Sequence, residues 1–215
     1  MKLLLTGFEP FGGSSVNPSA QIVERLGCEG IEGIDLVTAV LPVDRYQGPT
    51  KLIQAVQEHH PDAVLCLGLA GRSPAIAIER VAVNLLDFRI TDNSGNQFVD
   101  EPVVTGGPAA YFTTLPVRTM HQAGLAAGVP AELSLSAGAF LCNQVTYELL
   151  HYLITQELNI PAGFVHVPCL PEQVVGKAPL LPSMSLETMC RGVTAVIQAI
   201  NQHTHSLSPL STLPA

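Results

Sequence analysis

Lys2 to Leu26 reads KLLLTGFEPFGGSSVNPSAQIVERL, a strand that gives way to a loop and then to a helix. The run from Lys2 to Thr6 is apolar almost without interruption, which suits a strand of a parallel sheet buried on both faces. Gly7 closes it. Gly7 to Pro18 is a glycine- and proline-rich loop carrying two aromatics, Phe8 and Phe11, and Ser19 to Leu26 reads as a helix. The pattern then repeats. Ile34 to Val40 is a second strand. Pro49 to His59 is a second helix with apolar Leu52, Ile53 and Val56, ended by Pro61. Ala63 to Leu67 is a third apolar strand. Strands alternating with helices predict an α/β sandwich built on a mostly parallel, twisted sheet with right-handed crossovers.

Further along, Ala75 to Asn84, AIAIERVAVN, reads as one strand with Glu79 and Arg80 in its middle. Adjacent strand residues face opposite ways, so both can enter one pocket only if the strand is distorted or ends there. Leu86 to Gly107 is a polar excursion at the sheet edge or over a site, with Asp92-Asn93-Ser94-Gly95 as a hairpin signal. Pro108 to Ala127 reads as a helical segment bending near Pro116, and Ala131 to Ser136 as a strand. Ser136 to Leu150, SAGAFLCNQVTYELL, passes from a loop into an amphipathic helix marked by Val145, Leu149, Leu150 and Leu153. Gly163 to Val167 is a strand, Pro168 to Gly176 a loop, and Ser183 to Gln202 the last helix. There is no internal repeat and no linker. Residues 1–203 are expected to form a single catalytic α/β domain, and residues 204–215 a frayed tail.

The chain has 215 residues, enough for a substantial core. Hydrophobic residues make up 47% and charged residues 13%, a balance that points to apolar surface covered by another subunit. Net charge is −8 with no basic cluster, which argues against nucleic acid as a partner. No apolar run approaches the roughly 20 residues of a membrane span, and the N-terminal run breaks too early for a signal peptide, so the expected location is cytoplasmic. Five cysteines, odd in number and without a Cys-x-x-Cys pair, fit reduced thiols better than disulfides or a structural zinc.

Ligands of open α/β sheets bind at the carboxyl ends of the strands. The Gly7 loop, the Gly68 loop, the stretch before Cys142 and the residues around His166 are therefore expected to converge. Cys142 sits at a helix start, where backbone N–H groups point outward and the dipole favours negative charge. Thiols in such positions ionise readily, and the thiolate is the nucleophile. Cys66 lies inside an apolar strand and reads as core; Cys28, Cys169 and Cys190 have no comparable setting. A histidine among strand residues is most often a hydrogen-bonded core residue, but His166 precedes Pro168 at a strand end and could exchange protons with Cys142. Glu79 is either an exposed edge carboxylate paired with Arg80 or a buried one that orients a histidine. GFEPFGG lacks the Lys-Ser/Thr of a P-loop and the spacing of a dinucleotide loop. His166-x-x-Cys169 is a weak metal pair that Pro168 makes awkward.

Six stretches, TGFEPFGGSSVNPS, ERVAVN, DNSGNQ, GPAAYFTTLP, SAGAFLCN and GFVHVPCLPEQ, run in order from about Lys2 to Glu187. Together they resemble the pyrrolidone carboxyl peptidase (pyroglutamyl peptidase I) family of cysteine peptidases. The resemblance implies an open three-layer α/β/α sandwich and hydrolysis of N-terminal pyroglutamyl residues from peptides. It implies no cofactor, no metal, and commonly a homotetramer. By position it makes Cys142 the nucleophile, His166 the general base and acid, and Glu79 the carboxylate that orients it. Arg80 would help shape the oxyanion region. Phe8 and Phe11 match aromatics that hold the pyrrolidone ring, Asn17 a loop asparagine near the substrate, and Phe140 and Leu141 residues lining the pocket. One departure lies at Gly68-Leu69-Ala70-Gly71-Arg72-Ser73, where many members have Gly-Gln-Ala-Gly-Gly-Arg. Leu69 removes a side-chain amide that could bond to ligand or loop. Two other readings stand beside the peptidase. One is a non-catalytic binding protein that kept the fold, favoured by Leu69; the other is a metal-dependent amidohydrolase using His166 and a carboxylate.

Overall fold

The strand–helix alternation is realised in the structure, a computed structural model that describes residues 1–207. The first half of the chain forms β1 (Lys2–Phe8), α1 (Pro18–Glu29), β2 (Asp35–Leu41), α2 (Gln47–His59) and β3 (Ala63–Leu69). Next come β4 (Ile76–Glu79), β5 (Val81–Val83), β6 (Ala110–Phe112), α3 (Val117–Ala126) and β7 (Ala131–Ser134). The chain continues through α4 (Leu141–Thr155), β8 (Ala162–Val167), the short α5 (Pro171–Val174) and α6 (Leu186–Leu207). Six strands make one sheet in the order β2-β1-β3-β8-β4-β7, while β5 and β6 pair separately. β1, β2, β3 and β8 run parallel; β4 is antiparallel to β8, and β7 runs with β4.

Side chains alternate across the sheet and so feed two cores. Leu3, Leu5, Leu65, Leu67, Val165 and Val167 pack with Ile22 and Val23 of α1, Met120 of α3, and Val193 and Ile197 of α6. Leu4, Val64, Cys66 and Phe164 pack on the other face with Leu52 and Val56 of α2 and Val145 and Leu149 of α4. The outcome is an α/β sandwich, as the strand–helix alternation implied, in the three-layer form that the resemblance implied. α1 carries the chain from β1 outward to β2, and α2 brings it back past β1 to β3. The strand order thus reverses between β1 and β3, and the carboxyl ends of these two strands border the crevice where such sheets bind ligands. At the end of β1, Gly7 lies so close to α1 that an added Cβ would stand 2.5 Å from the Ser19 carbonyl oxygen. The Phe8 N–H donates to Ser19 Oγ at 2.9 Å, fixing the loop's departure.

Several expectations change. AIAIERVAVN is two strands, because the chain leaves the sheet at Arg80. The Arg80 N–H still reaches the Ser134 carbonyl, but the Arg80 carbonyl accepts from the Thr113 N–H, and Val81–Val83 pairs with β6. Pro108 to Leu115 is therefore not helical; the helix starts only after Pro116, at Val117. Asp92-Asn93-Ser94-Gly95 does reverse the chain, with the Phe88 N–H bonded to the Phe98 carbonyl across it, but it joins no regular strands. Its Asp92 is buried and gathers the N–H groups of Ser94 and Asn96 into a compact turn, and the excursion's one strand-like pairing is the isolated bridge Leu86–Glu101. β7 runs opposite to β8, so residues 135–140 must return across the sheet before α4 begins. Within the expected loop Pro168 to Gly176 lies α5. α6 extends to Leu207, into the stretch expected to fray; the rest of that stretch lies outside the described residues. No helix among the described residues is long and apolar enough to cross a membrane.

Candidate active site

His166, Glu79 and Cys142 meet where β8, β4 and α4 come together. The imidazole Nδ1–H donates to Glu79 Oε1 at 2.7 Å, with both side chains almost wholly buried at 7% and 3% exposure. Register explains the contact. Ala77 sits opposite His166 and Glu79 opposite Phe164, so Glu79 and His166 are diagonal neighbours on one face, with a small residue leaving room between strands. The bond to Nδ1 leaves Nε2 as the ring nitrogen available to Cys142. On the other side of β8, Gly68 of β3 is opposite His166. A Cβ at Gly68 would stand 2.8 Å from Cys142 Sγ and 2.6 Å from Phe164 Cζ, so the absence of a side chain there is what lets the thiol lie beside the histidine. Burial by itself disfavours the imidazolium. The charge and hydrogen bond of the Cys142 thiolate, and then those of Glu79, outweigh it and push the His166 pKa up to about 10.

Cys142 is the second residue of α4 and half-buried. The N-cap is Phe140, whose extended backbone brings no side-chain cap, so the first amides of α4 are left to other partners. What holds this helix end is Asn143. It is 1% exposed, accepts from the Val83 N–H at 2.8 Å, and donates to the carbonyls of Val83 and Leu85 at 2.9 and 3.0 Å. Those residues belong to the segment that follows Glu79 and Arg80, so one amide ties the helix of the thiol to the chain of the carboxylate. Thr146 Oγ1 donates back to the Cys142 carbonyl at 2.7 Å. The excursion closes over the same point, the second of the two placements its sequence allowed. Asp87 N–H reaches the Ala139 carbonyl at 2.9 Å, and the rings of Phe88 and Phe140 pack edge to face at 4.6 Å.

The other expected site residues divide. Phe11 stacks obliquely on Phe140, ring centroids 6.1 Å apart, and both rings are partly exposed. Leu69, next to Gly68, lines a cavity of about 510 Å³ together with Phe11, Ile90, Arg89 and Lys177. Phe8 is buried against Phe164 and supports the pocket from behind. Leu141 points into the core. Asn17 caps α1, accepting from the N–H and hydroxyl of Ser19 and donating to the Glu9 carbonyl, so its visible work is to shape the aromatic loop. Arg80 lies at the strand break with its guanidinium unpaired among the described residues.

Reading residues in isolation missed Gly68, Asn143 and Glu9. Glu9 Oε1 accepts from the Val43 N–H at 3.0 Å and from Asn93 Nδ2 at 2.8 Å, clamping the excursion to the aromatic loop. A polar residue directly after Cys142, on a helix with an apolar face, was the available signal for Asn143. The other thiols stand apart from this chemistry. Burial pushes the Cys66 thiol up to about 12, and Cys169 points to the Gly71 carbonyl at 3.7 Å. Among the described residues no group of three or more His, Cys, Asp or Glu side chains is placed to hold a metal ion.

Comparison with known proteins matches residues 1–203 to the pyroglutamyl peptidase family. The chain belongs to the pyroglutamyl peptidase family. This is a family of cysteine-type hydrolases. The chain is 48% identical over 192 residues to a pyrrolidone-carboxylate peptidase of Vibrio vulnificus, covering 89% of each. It is 47% identical over 207 residues to that of Gloeobacter violaceus, covering 96% of this chain and all of the relative. Among solved structures, pyroglutamyl peptidase I of Bacillus amyloliquefaciens superposes with a TM-score of 0.91 at 39% identity, covering 94% of this chain and 98% of that one. The pyrrolidone carboxyl peptidase of Thermococcus litoralis gives 0.92 at 37% identity, covering 100% and 99%. The α/β sandwich described above is thus the fold of pyroglutamyl peptidases.

Proposed function

We propose that the chain hydrolyses the N-terminal pyroglutamyl residue of peptides through a Cys142 acyl-enzyme. The observation that carries this is His166 held between Glu79 and Cys142. In the reading, the Cys142 thiolate attacks the pyroglutamyl carbonyl, and first-turn amides of α4 donate to the oxyanion as it forms. The His166 imidazolium gives its Nε2 proton to the leaving amine, and the C–N bond breaks to leave a thioester. His166, now neutral, takes a proton from water as that water attacks the thioester; pyroglutamate leaves and the thiolate returns. Glu79 holds the imidazole in the tautomer that turns Nε2 to the sulfur and offsets the positive charge of each imidazolium stage.

Selectivity follows from the neutral lactam. A pocket edged by Phe11, Phe140 and Leu69 accepts an uncharged ring, whereas the ammonium of an ordinary amino terminus would lose its hydration without a partner. Leu69 leaves that wall apolar where many family members carry a glutamine, and ring packing takes the place of a side-chain hydrogen bond there. Homotetramer assembly and a cytoplasmic location belong to the same proposal.

The test pairs a pyroglutamyl fluorogenic substrate with its free-amine analogue. Wild-type protein should release the fluorophore from the first and not the second. Cys142→Ala should lose release with its thermal transition unchanged, and iodoacetamide should inactivate the wild type unless a substrate analogue protects it. Turnover by Cys142→Ala would remove Cys142 from its role.

A further inference from the structure

A cavity lined by Phe11 and Leu69 adjoins the surroundings of Cys142 and is larger than a pyrrolidone ring. Its volume of about 510 Å³ falls in the range that encloses ligands of many more heavy atoms. Cys142 itself is not in the lining; the link to the thiol runs through Phe11, whose ring packs on Phe140, and through Leu69, which follows Gly68 in the chain. The far end of the cavity is formed by Gln173 and Lys177, with Arg89 contributed by the excursion. That far wall is built. Gln173 Nε2 donates to Ser14 Oγ and the Val16 carbonyl, both at 3.3 Å, and its Oε1 accepts from the Leu170 N–H at 2.9 Å.

The charge of this far end runs against the charge of the molecule. The chain carries −8, yet the cavity wall holds two cations, Arg89 and Lys177, whose side chains have no ion pair or hydrogen bond among the described residues. The carboxylate in the same wall is Asp92. It is 4% exposed and saturated by the N–H groups of Arg45, Ser94 and Asn96 and by Asn96 Nδ2, so it does not face the space as a free anion. Burial raises the pKa of Cys169 in this wall, and the ammonium of Lys177 draws it the other way, which places that charge at the cavity.

We infer that the far half of the cavity receives the leaving part of the substrate and selects a carboxylate there, held by Lys177 and Arg89. The inference rests on the peptidase reading above. With the pyroglutamyl ring near Phe11 and its carbonyl at Cys142, the lining left for the rest of the peptide includes Lys177 and Arg89. A carboxylate there has two sources: an acidic side chain on the next residue, or the terminal carboxylate of a pyroglutamyl dipeptide.

Four substrates separate the cases: pyroglutamyl-alanine amide, pyroglutamyl-glutamate amide, pyroglutamyl-lysine amide and pyroglutamyl-alanine with a free carboxylate. The glutamate amide or the free carboxylate, or both, should exceed the alanine amide in kcat/KM by about two- to fivefold, the size of an exposed ion pair. The gain should sit in KM and shrink in about 1 M salt, where screening acts within roughly 3 Å. Lys177→Gln should bring the acidic-to-neutral ratio toward one, and Lys177→Glu should turn the preference toward the lysine amide. A gain in the glutamate amide alone assigns the subsite to side chains; a gain in the free carboxylate alone assigns it to dipeptides. Turnover of all four without charge dependence, or ratios unmoved in both variants, overturns the carboxylate subsite and leaves the peptidase intact. No turnover of any overturns both.

Discussion

Glu79 is a buried carboxylate with one oxygen on His166 and the other, Oε2, without a hydrogen-bond partner. A charge in that position is costly unless a cation faces it, and the imidazolium is the cation within reach. Burial opposes the imidazolium, but Cys142 and then Glu79 outweigh it and push His166 up to about 10. Stability from this shift is fully present below the ordinary histidine pKa of about 6.5, declines as pH rises, and is gone above about 10. The stability advantage of wild type over His166→Gln, read by denaturant titration, should therefore shrink between pH 6 and pH 10. Glu79→Gln removes a group that raises the histidine, so the alkaline limb of kcat/KM should move to lower pH while kcat falls by roughly 10²–10⁴-fold. A pH profile unchanged in that variant would detach Glu79 from the imidazole. At this scale the sequence was legible for Cys142, because a helix start is visible in local pattern. Glu79 was not rankable from residues alone, since a strand carboxylate beside an arginine reads equally as an exposed pair. Leu141 and Asn17 show the converse: a position next to a site is no guide to where a side chain points.

Elements decide how the three groups meet. The start of α4 has no capping side chain, and its position depends on the grip of Asn143 on Val83 and Leu85. Asn143→Ala would leave the Val83 N–H and the Leu85 carbonyl without that partner, at about 1–3 kcal/mol for each not reached by water, while the Val83 carbonyl keeps the Leu85 N–H. Denaturant midpoints should fall accordingly, and kcat should fall more than KM rises, because the thiol loses its register with His166. Unchanged kcat in a folded Asn143→Ala would show that the helix is positioned by packing alone. The strands β1, β3 and β8 were legible because each is a continuous apolar run. The break between β4 and β5 was not, since two strands in different sheets share one period of alternation and only the partners distinguish them. β6 was hidden for a related reason. Ala-Tyr-Phe has no helix breaker of its own, and its extended form comes from pairing with β5.

Across the whole molecule the sheet divides stability from chemistry. Cys142, Phe140 and Phe164 lie with α2 and α4 on one face, whereas α1, α3 and α6 build the other. Ile197 of α6 is fully buried in that second core. Ile197→Ala should cost about 2–5 kcal/mol and lower Tm by roughly 2–4 °C for each kcal/mol. Below the transition its turnover of a pyroglutamyl substrate should match wild type, and a parallel loss of kcat would show that the two faces are coupled.

The reversed direction of β4 bears on the enzyme at rest. Along β8, His166 is nearer the open edge of the sheet and Phe164 deeper, and Glu79 is level with Phe164. The carboxylate thus backs the imidazole from the interior, with the open edge of the sheet on the opposite side. Its bond to Nδ1 is buried, with both side chains almost wholly out of solvent. In the proposed mechanism the proton on His166 would then be held in the same way whether the next peptide is a dipeptide or a long chain. Discrimination among peptides is then left to the rim, which can be altered without resetting the chemistry behind it.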